Sequence, residues 1–570
     1  MRARSCMMFG RLVVAGIFSG ICGWQLFGGE APLDGEAYYR VRREARQLYR
    51  EHNYAAAIPL YEQLTSSFAH DGQNWLELAA CQTAEKQYQA AIASYEQAMR
   101  YGASEPDINS RRIAGLYAEL QKKEQAYEWL DRAMTSGMAE RILLRRDDQF
   151  ARMRDEDRFR TLAAEPLDAR TSRGERWRRD LDFLVAEAER LHPGQHSELG
   201  RGAGANELAA AVERLKPRIA DLTDAQMLIE LHRVLALLGD GHSRTSLFHR
   251  QIRLTRLPLT LYRFADCVCV VNTAPEHERW IGARVVKIAD TPIDQAVDSV
   301  TPIISRDNEM GIRVWAPIYL TVPAVLERCG IAGETGRVAL TLQRDGSSQE
   351  TAVLEAVALR PSNDSGRSAL QRDNDNPLWL RDTETNYWLE HLPDDHAIFV
   401  QFNGVGEARG ESIEEFSRRL QQTYTDADVR RLIVDVRHNG GGNTFLYQPL
   451  LRTLIHFERD KPGRRLFLLT SRHTFSACQN FCTDVDRLTD AVFAGEPTGS
   501  NPNFIGESTM VVLPHTELQV SISTRVWQFS YPMDRRVWIA PDVPVALTSA
   551  DYFAGRDPVL EAVRRVIAAE

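Results

Sequence analysis

The chain has 570 residues, too many for one hydrophobic core, so several domains are expected. Apolar residues make up 44% and charged residues 26%, as in ordinary globular protein. The net charge of −9 is spread over interspersed acids and bases with no block of like charge, which predicts a soluble acidic protein and excludes a nucleic-acid footprint.

The first 35 residues differ from the rest. Arg2, Arg4 and Arg11 precede an apolar run from Leu12 to Phe27, broken by Gly16, Gly20 and Gly23. A basic start followed by an apolar core predicts an export signal, and hence a periplasmic or extracellular protein. The run is short of the ~20 strongly apolar residues of a spanning helix, but an uncleaved membrane anchor stays open. Cys22 is a lipid-attachment candidate, although Ile21 stands before it where a small residue is usual. The remaining cysteines, Cys81, Cys267, Cys269, Cys329, Cys478 and Cys482, form no metal-ligand spacing, so neither a metal nor a cofactor is expected. They read as small packed hydrophobes.

Residues 36–165 carry a repeat. The segment Tyr54-Ala-Ala-Ala-Ile-Pro-Leu-Tyr61-Glu62 recurs as Tyr88-Gln-Ala-Ala-Ile-Ala-Ser-Tyr95-Glu96, an offset of 34 residues. Trp75, Leu78, Ala79, Ala91 and Ala98 fill the same pattern, and a third copy around Ala126 and Ala133 is shifted by one residue. This period resembles the tetratricopeptide repeat, whose units are helix pairs that cross at small residues. Such a module either binds a protein partner or docks on the rest of its own chain. Leu143 to Leu162 reads as a helical cap.

Residues 170–250 are expected to be helical. Leu181, Leu184, Val185, Ala188 and Leu191 recur at helical spacing, as do Leu228, Leu231, Leu235 and Leu238 before Gly239-Asp240-Gly241-His242. The glycines give a tight turn that delivers His242 at a helix end, either as a capping residue or as a catalytic one. From 251 to 360 short alternating runs take over, and Ile281 to Asp294 looks like part of a PDZ-like domain. That domain is either structural or a binder of chain termini by strand addition. The polar stretch 361–377 is a linker candidate.

Residues 375–570 alternate strands and helices, an α/β pattern. Strands are expected at Ala397–Phe402, Leu432–Val436, Leu466–Thr470 and Ala491–Ala494, and helices at Ser412–Thr423 and Phe475–Leu488. The first strand-to-turn motif ends in Asn439-Gly440-Gly441-Gly442-Asn443, whose glycines free backbone N–H groups to meet an anion. No Lys-Ser/Thr follows, which excludes a P-loop. The second motif places Ser476 at a helix start, after Ser471-Arg-His473-Thr474-Phe475. Ser476 is there either a helix cap or a nucleophile aided by unpaired N–H groups.

Together these motifs resemble the tricorn and C-terminal-processing serine peptidases, the tail-specific proteases. The matching residues are Asp435-x-Arg437-x-Asn439-x-Gly441-Gly442, Thr474-Phe475-Ser476-Ala477, Gly495-Glu496-Pro497-Thr498-Gly499 and Trp538-Ile-Ala-Pro-Asp542, with Gly239-Asp240-Gly241-His242 upstream. The resemblance spans about residues 177–570. It implies a crotonase-like spiral of ββα units and a serine endopeptidase or tail-specific peptidase acting on peptides or proteins. Ser476 is the implied nucleophile, Gly441 and Ala477 the oxyanion donors, and Gly440, Gly442, Asn443 and Thr498 the implied substrate contacts. A Ser-Lys mechanism is excluded because no lysine follows Lys461. His242 is then the implied base, with His473 as alternative. Asp534 or Asp240 is the implied orienting acid, and Gln479 has a positioning role at most. Gly241 stands where the tricorn branch has a serine, which alters the polar relay. An unperturbed histidine titrates near ~6.5, so activity is expected to fall through that pH. The alternatives are an inactive binding scaffold and acyl-ester hydrolysis by the same serine.

Overall fold

The computed structural model describes residues 33–138, 141–165, 170–195, 204–333, 336–344, 348–360, 376–426 and 429–569. The leader through residue 32 and the linker from 361 to 375 lie outside the described residues. The chain divides into two compact units, Met1–Leu130 and Asp131–Glu570.

The first unit is all helical. Gly35–Arg50, Tyr54–Ser67, Gly72–Ala84, Tyr88–Arg100 and Pro106–Glu119 follow one another, with Lys123–Thr135 next in the chain. Asp34 and Asp71 cap two of these helices by accepting backbone N–H groups. Tyr54 and Tyr88, 34 residues apart in the repeat, each open a helix. Ala57 and Ala91 are fully buried one turn later, where a larger side chain would hold neighbouring helices apart. Asn74 Nδ2 donates to Tyr38 Oη (2.8 Å), and Ser94 Oγ donates to Gln82 Oε1 (2.7 Å), two side-chain bonds between these helices.

In the second unit, the helix Arg173–Leu191 packs with Gly204–Leu215 and Asp224–Ala236. The last of these begins with a capping box made by Thr223 and Gln226. The segment 141–165, expected with the repeats, belongs to this unit. Arg141 reaches the fully buried carboxylate of Glu187 (2.7 Å), and Arg190 Nη1 donates to Met134 O (2.7 Å).

The β-rich segment forms an antiparallel sheet. Its strands run in the order Leu259–Arg263, Val268–Thr273, Arg284–Ile288, Arg337–Gln343 and Glu350–Glu355, with Thr291–Pro292 beside the third. Cys267 and Cys269, two apart at the start of the second strand, bring their sulfurs within 2.8 Å. The segments 170–250 and 251–360 were expected as separate domains, but they share one core. Trp177, Leu228, Leu257, Val285 and Leu340 belong to a single cluster, together with Val511, Val520 and Ile522 of a hairpin more than 150 residues downstream. That hairpin, Asn503–Val512 with Gln519–Gln528, pairs with the short strand Arg244–Thr245 that follows His242.

The last third holds a six-stranded sheet in the order Tyr387–Leu392, Ala397–Phe402, Arg431–Asp435, Arg465–Thr470, Val492–Gly495 and Val543–Pro544. The first pair is antiparallel and the rest are parallel. Alternate residues face opposite layers. Ile398, Val400, Leu432, Val434, Leu466 and Leu468 pack toward the helices Ile413–Asp426, Gln448–Asp460 and Ala477–Leu488. Phe399, Ile433, Phe467 and Leu469 face the C-terminal helix Pro558–Ala569. A parallel sheet buried on both faces gathers its functional loops at the carboxyl ends of its strands.

Candidate active site

Two adjacent strands carry the site. After Asp435 the chain turns through Arg437, whose guanidinium bridges Asp435 (2.5 Å) and Asp557 (2.8 Å) below the ring of Trp379. Burial alone lowers the Arg437 pKa, but the two carboxylates outweigh it and raise it, so the group stays charged. Asn439 then ties three segments together. Its Nδ2 donates to Phe402 O (3.0 Å), its carbonyl accepts Phe475 N–H (3.1 Å), and its Oδ1 accepts Gly441 N–H (3.0 Å).

The neighbouring strand ends at Thr470. Thr474 Oγ1 accepts Ser471 N–H (3.0 Å) and donates to Val436 O (3.1 Å), locking the turn before Ser476. Arg472 pairs with Glu496 behind it, holding that carboxyl at about 2 against a burial effect that raises it. Ser476 sits at φ 56°, ψ −125°, where a side chain is strained. It precedes the helix Ala477–Leu488, yet its side chain makes no capping bond. Oγ instead lies 2.9 Å from His242 Nε2. The approach at Gly441 is equally constrained. At φ 107°, a Cβ there would stand 2.7 Å from Ser476 Cβ and 2.9 Å from Ala477 N.

His242 comes from the turn after the helix Asp224–Ala236. Its backbone N–H, that of Ser243 and the Ser523 hydroxyl all donate to Asp240 Oδ1 (2.8, 2.7 and 2.6 Å). The other oxygen meets His192 Nε2 at 2.9 Å. Gly194 N–H donates to His192 Nδ1 (3.2 Å), so the proton of that ring lies on Nε2 and points at Asp240. Burial raises the Asp240 pKa, but His192 and these donors lower it further, and it remains a carboxylate. On the other side, Asp307 accepts Gly241 N–H (2.6 Å) and the Ser500 hydroxyl (2.5 Å). Burial pushes the Asp307 carboxyl up to about 7.

The His242 ring is sandwiched between Phe475 (centroids 4.6 Å apart) and Phe504 (5.6 Å). Burial lowers its pKa to about 4, with Asp240 opposing and Arg244 adding to the fall. The value of ~6.5 expected from sequence does not hold, because the rings displace the water that would solvate an imidazolium.

Several other expectations are corrected by the geometry. Asp534 does not reach His242. It is bound by Ser530 Oγ (2.6 Å) and Arg536 Nη2 (2.8 Å), which hold it at about 2 against burial. Asp240 orients His242 through its backbone rather than through Nδ1. Nδ1 is buried without a hydrogen-bond partner among the described residues. A relay hydroxyl at position 241 has no room, since a Cβ on Gly241 would lie 2.8 Å from the Phe475 ring. Gly441 N–H, an expected oxyanion donor, is engaged by Asn439, whereas Ala477 N–H opens the helix beside the Gly441 notch. Thr498 is fully buried and donates to Ser500 O while accepting Ile539 N–H, so it is a structural residue. Gly442 packs on Val405, and Asn443 accepts Phe445 N–H. Gly440 and Gly441 border a cavity of about 790 Å³ beside Phe475, and Gly442, Asn443 and Thr498 lie outside its lining. His473 also borders it, but Ser476 Oγ meets His242 and not His473. Gln479 is buried along the helix, with Nε2 on Thr483 Oγ1 (3.3 Å).

Sequence reasoning missed Asp307, His192 and Phe504. Each reaches the site from a segment without a motif, and only the fold brings them together.

No family model matches the chain, and no curated protein matches it. Solved structures do. Mature CPAF complexed with lactacystin is similar, at TM-score 0.52 and 12% identity, over 69% of this chain and 98% of that one. Mature CPAF alone gives TM-score 0.50 at the same 12% identity, over 69% of this chain and 97% of that one. The photosystem II D1 C-terminal processing protease matches over 70% of this chain and 98% of that one, at 14% identity and TM-score 0.32. With mature CPAF the chain therefore shares a fold.

Proposed function

We propose that the protein is a serine peptidase that hydrolyses peptide bonds in peptides or proteins through an acyl-enzyme on Ser476. The observation that carries this reading is the 2.9 Å contact between Ser476 Oγ and His242 Nε2, made by a serine in a strained conformation at a helix start. In this mechanism Nε2 accepts the hydroxyl proton as Oγ attacks the carbonyl carbon. Nδ1 therefore carries the ring's own proton. The imidazolium then protonates the leaving amine, and water releases the acyl group by the same route. The low His242 pKa keeps the base neutral and ready over the whole neutral range.

Ala477 N–H is the first oxyanion donor in this proposal. Gly441 N–H joins it once its bond to Asn439 Oδ1 is exchanged for the oxyanion. One such donor is typically worth ~3 kcal/mol. The orienting carboxylate is Asp240, acting through the backbone of His242, and Asp534 is left outside the catalytic set.

We assign the catalytic layer a crotonase-like fold, residues 251–360 a PDZ-like role, and the N-terminal helices a tetratricopeptide module with a protein partner. The basic and apolar leader supports export, with a membrane anchor as one outcome. No described helix is long and apolar enough to cross a membrane. A second reading, an inactive peptide-binding scaffold, is favoured by the unpartnered Nδ1 of His242. Incubation of the full chain with an unfolded protein, with products mapped by mass spectrometry, separates the two. Peptides that appear with the natural chain and not with Ser476→Ala support the peptidase. Equal, absent cleavage by both supports the scaffold.

A further inference from the structure

The cavity bordered by Gly241, Gly441 and Phe475, the chain neighbours of His242 and Ser476, is basic for a protein of net negative charge. Arg244, Arg256, Arg306, Arg313, Arg360 and Arg472 all border it, and Asp307 is the acid among its lining residues. Both oxygens of Asp307 are already engaged, by Gly241 N–H and Ser500 Oγ. The arginines are not equivalent. Arg472 is neutralised by Glu496, and Arg313 lies 3.8 Å from the same carboxylate. Arg256 and Arg306 donate to backbone carbonyls, which hold their forks but leave their charges in place.

Arg244 differs from all of these. It stands two residues after His242, on the short strand that pairs with Ser521. Its guanidinium carbon lies over the Trp315 ring, 5.1 Å from the ring centre, a cation–π contact that restricts where the fork can sit. It has no salt bridge or hydrogen bond among the described residues, although it is exposed to the cavity. Its charge faces the cavity and is felt by His242, whose pKa it helps to lower. An unpaired guanidinium held over an aromatic ring favours a planar anion that takes two parallel hydrogen bonds. The planar anion that a peptide carries is a carboxylate.

We propose that Arg244, held over Trp315 in the cavity that Gly441 and Phe475 border, determines substrate specificity by binding a carboxylate of the peptide. The carboxylate is that of an Asp or Glu side chain, or that of a chain terminus. This assignment rests on the peptidase reading, since it takes the ligand to be a peptide lying across Ser476. The remaining arginines supply a positive field that raises the local concentration of such peptides.

The test is a binding measurement that needs no turnover. The full chain carrying Ser476→Ala is titrated with matched peptides by calorimetry. One pair has an amidated C-terminus and carries either Glu or Gln internally. The other pair is neutral inside and ends in either a free carboxylate or an amide. One of the carboxylate peptides should bind ~10-fold or more tightly than its amide partner, and which pair shows the preference identifies the source. Adding Arg244→Gln should bring that ratio to within about 2-fold, whereas a loss of binding through misfolding would affect both partners alike. A ratio near one before the substitution, a ratio unchanged by it, or no binding of any peptide overturns the proposal. Peptide hydrolysis by the natural chain without carboxylate preference would overturn this inference and leave the peptidase standing.

Discussion

The aromatic sandwich around His242 sets the acid limit of activity. Phe475 and Phe504 stack on the two faces of the imidazole, and burial takes its pKa from 6.5 to about 4. The sign follows directly. The neutral form is the base, so activity persists above about 4 and is lost as pH falls through that value. Phe504→Gln replaces one apolar wall with an amide whose carbonyl stabilises the imidazolium. Phe504 supplies part of this burial, so removing it should return the pKa by ~1 unit, equivalent to ~1.4 kcal/mol. Phe504→Leu keeps the wall apolar and should leave the limb in place. The assay is the rate of fluorophosphonate labelling against pH, which reads serine activation without a peptide substrate. A natural protein whose rate falls at ~6.5, or a Gln variant whose midpoint matches the natural one, would refute the reasoning.

Further outcomes follow from the same geometry. Asp240→Asn places an amide NH2 among donors from His192, His242, Ser243 and Ser523, and should cost ~3 kcal/mol in urea unfolding; a loss under ~1 kcal/mol would contradict the role given to this carboxylate. Gly441→Ala forces a Cβ against Ser476 and Ala477 N at a positive φ, and should abolish labelling while far-ultraviolet circular dichroism stays unchanged. A chain beginning at residue 139 should keep its reactive serine. One beginning at residue 170 also loses Arg141 from the buried Glu187 and should melt several degrees lower.

Local chemistry was legible in the sequence where a single segment determines it. The strand Ala397–Phe402 was bounded correctly by its apolar run, and the helix after Ser476 was bounded correctly at Leu488 but begins at Ala477, two residues later than expected. The Asn439 to Gly442 turn and Ser476 were joined in the sequence through the family resemblance, and the two motifs end neighbouring parallel strands. The choice between the two candidate orienting acids, Asp534 and Asp240, was not legible. Asp534 has the right spacing from Ser476, but Arg536, two residues on, captures it locally. Nor was the environment of His242. The ring comes from residue 242, its walls from 475 and 504, and the acid beneath its turn from 307, and no periodicity links these positions. For the same reason the boundary expected near residue 250 dissolved into one core, which a distant hairpin completes.

The central claim is that His242 activates Ser476, and active-site labelling of the full chain tests it most directly. A fluorophosphonate should modify Ser476, identified by mass spectrometry, at a rate that falls at least ~100-fold in His242→Ala and remains near the natural rate in His473→Ala. Absence of label on Ser476, or labelling that survives His242→Ala and is lost with His473→Ala, would contradict it.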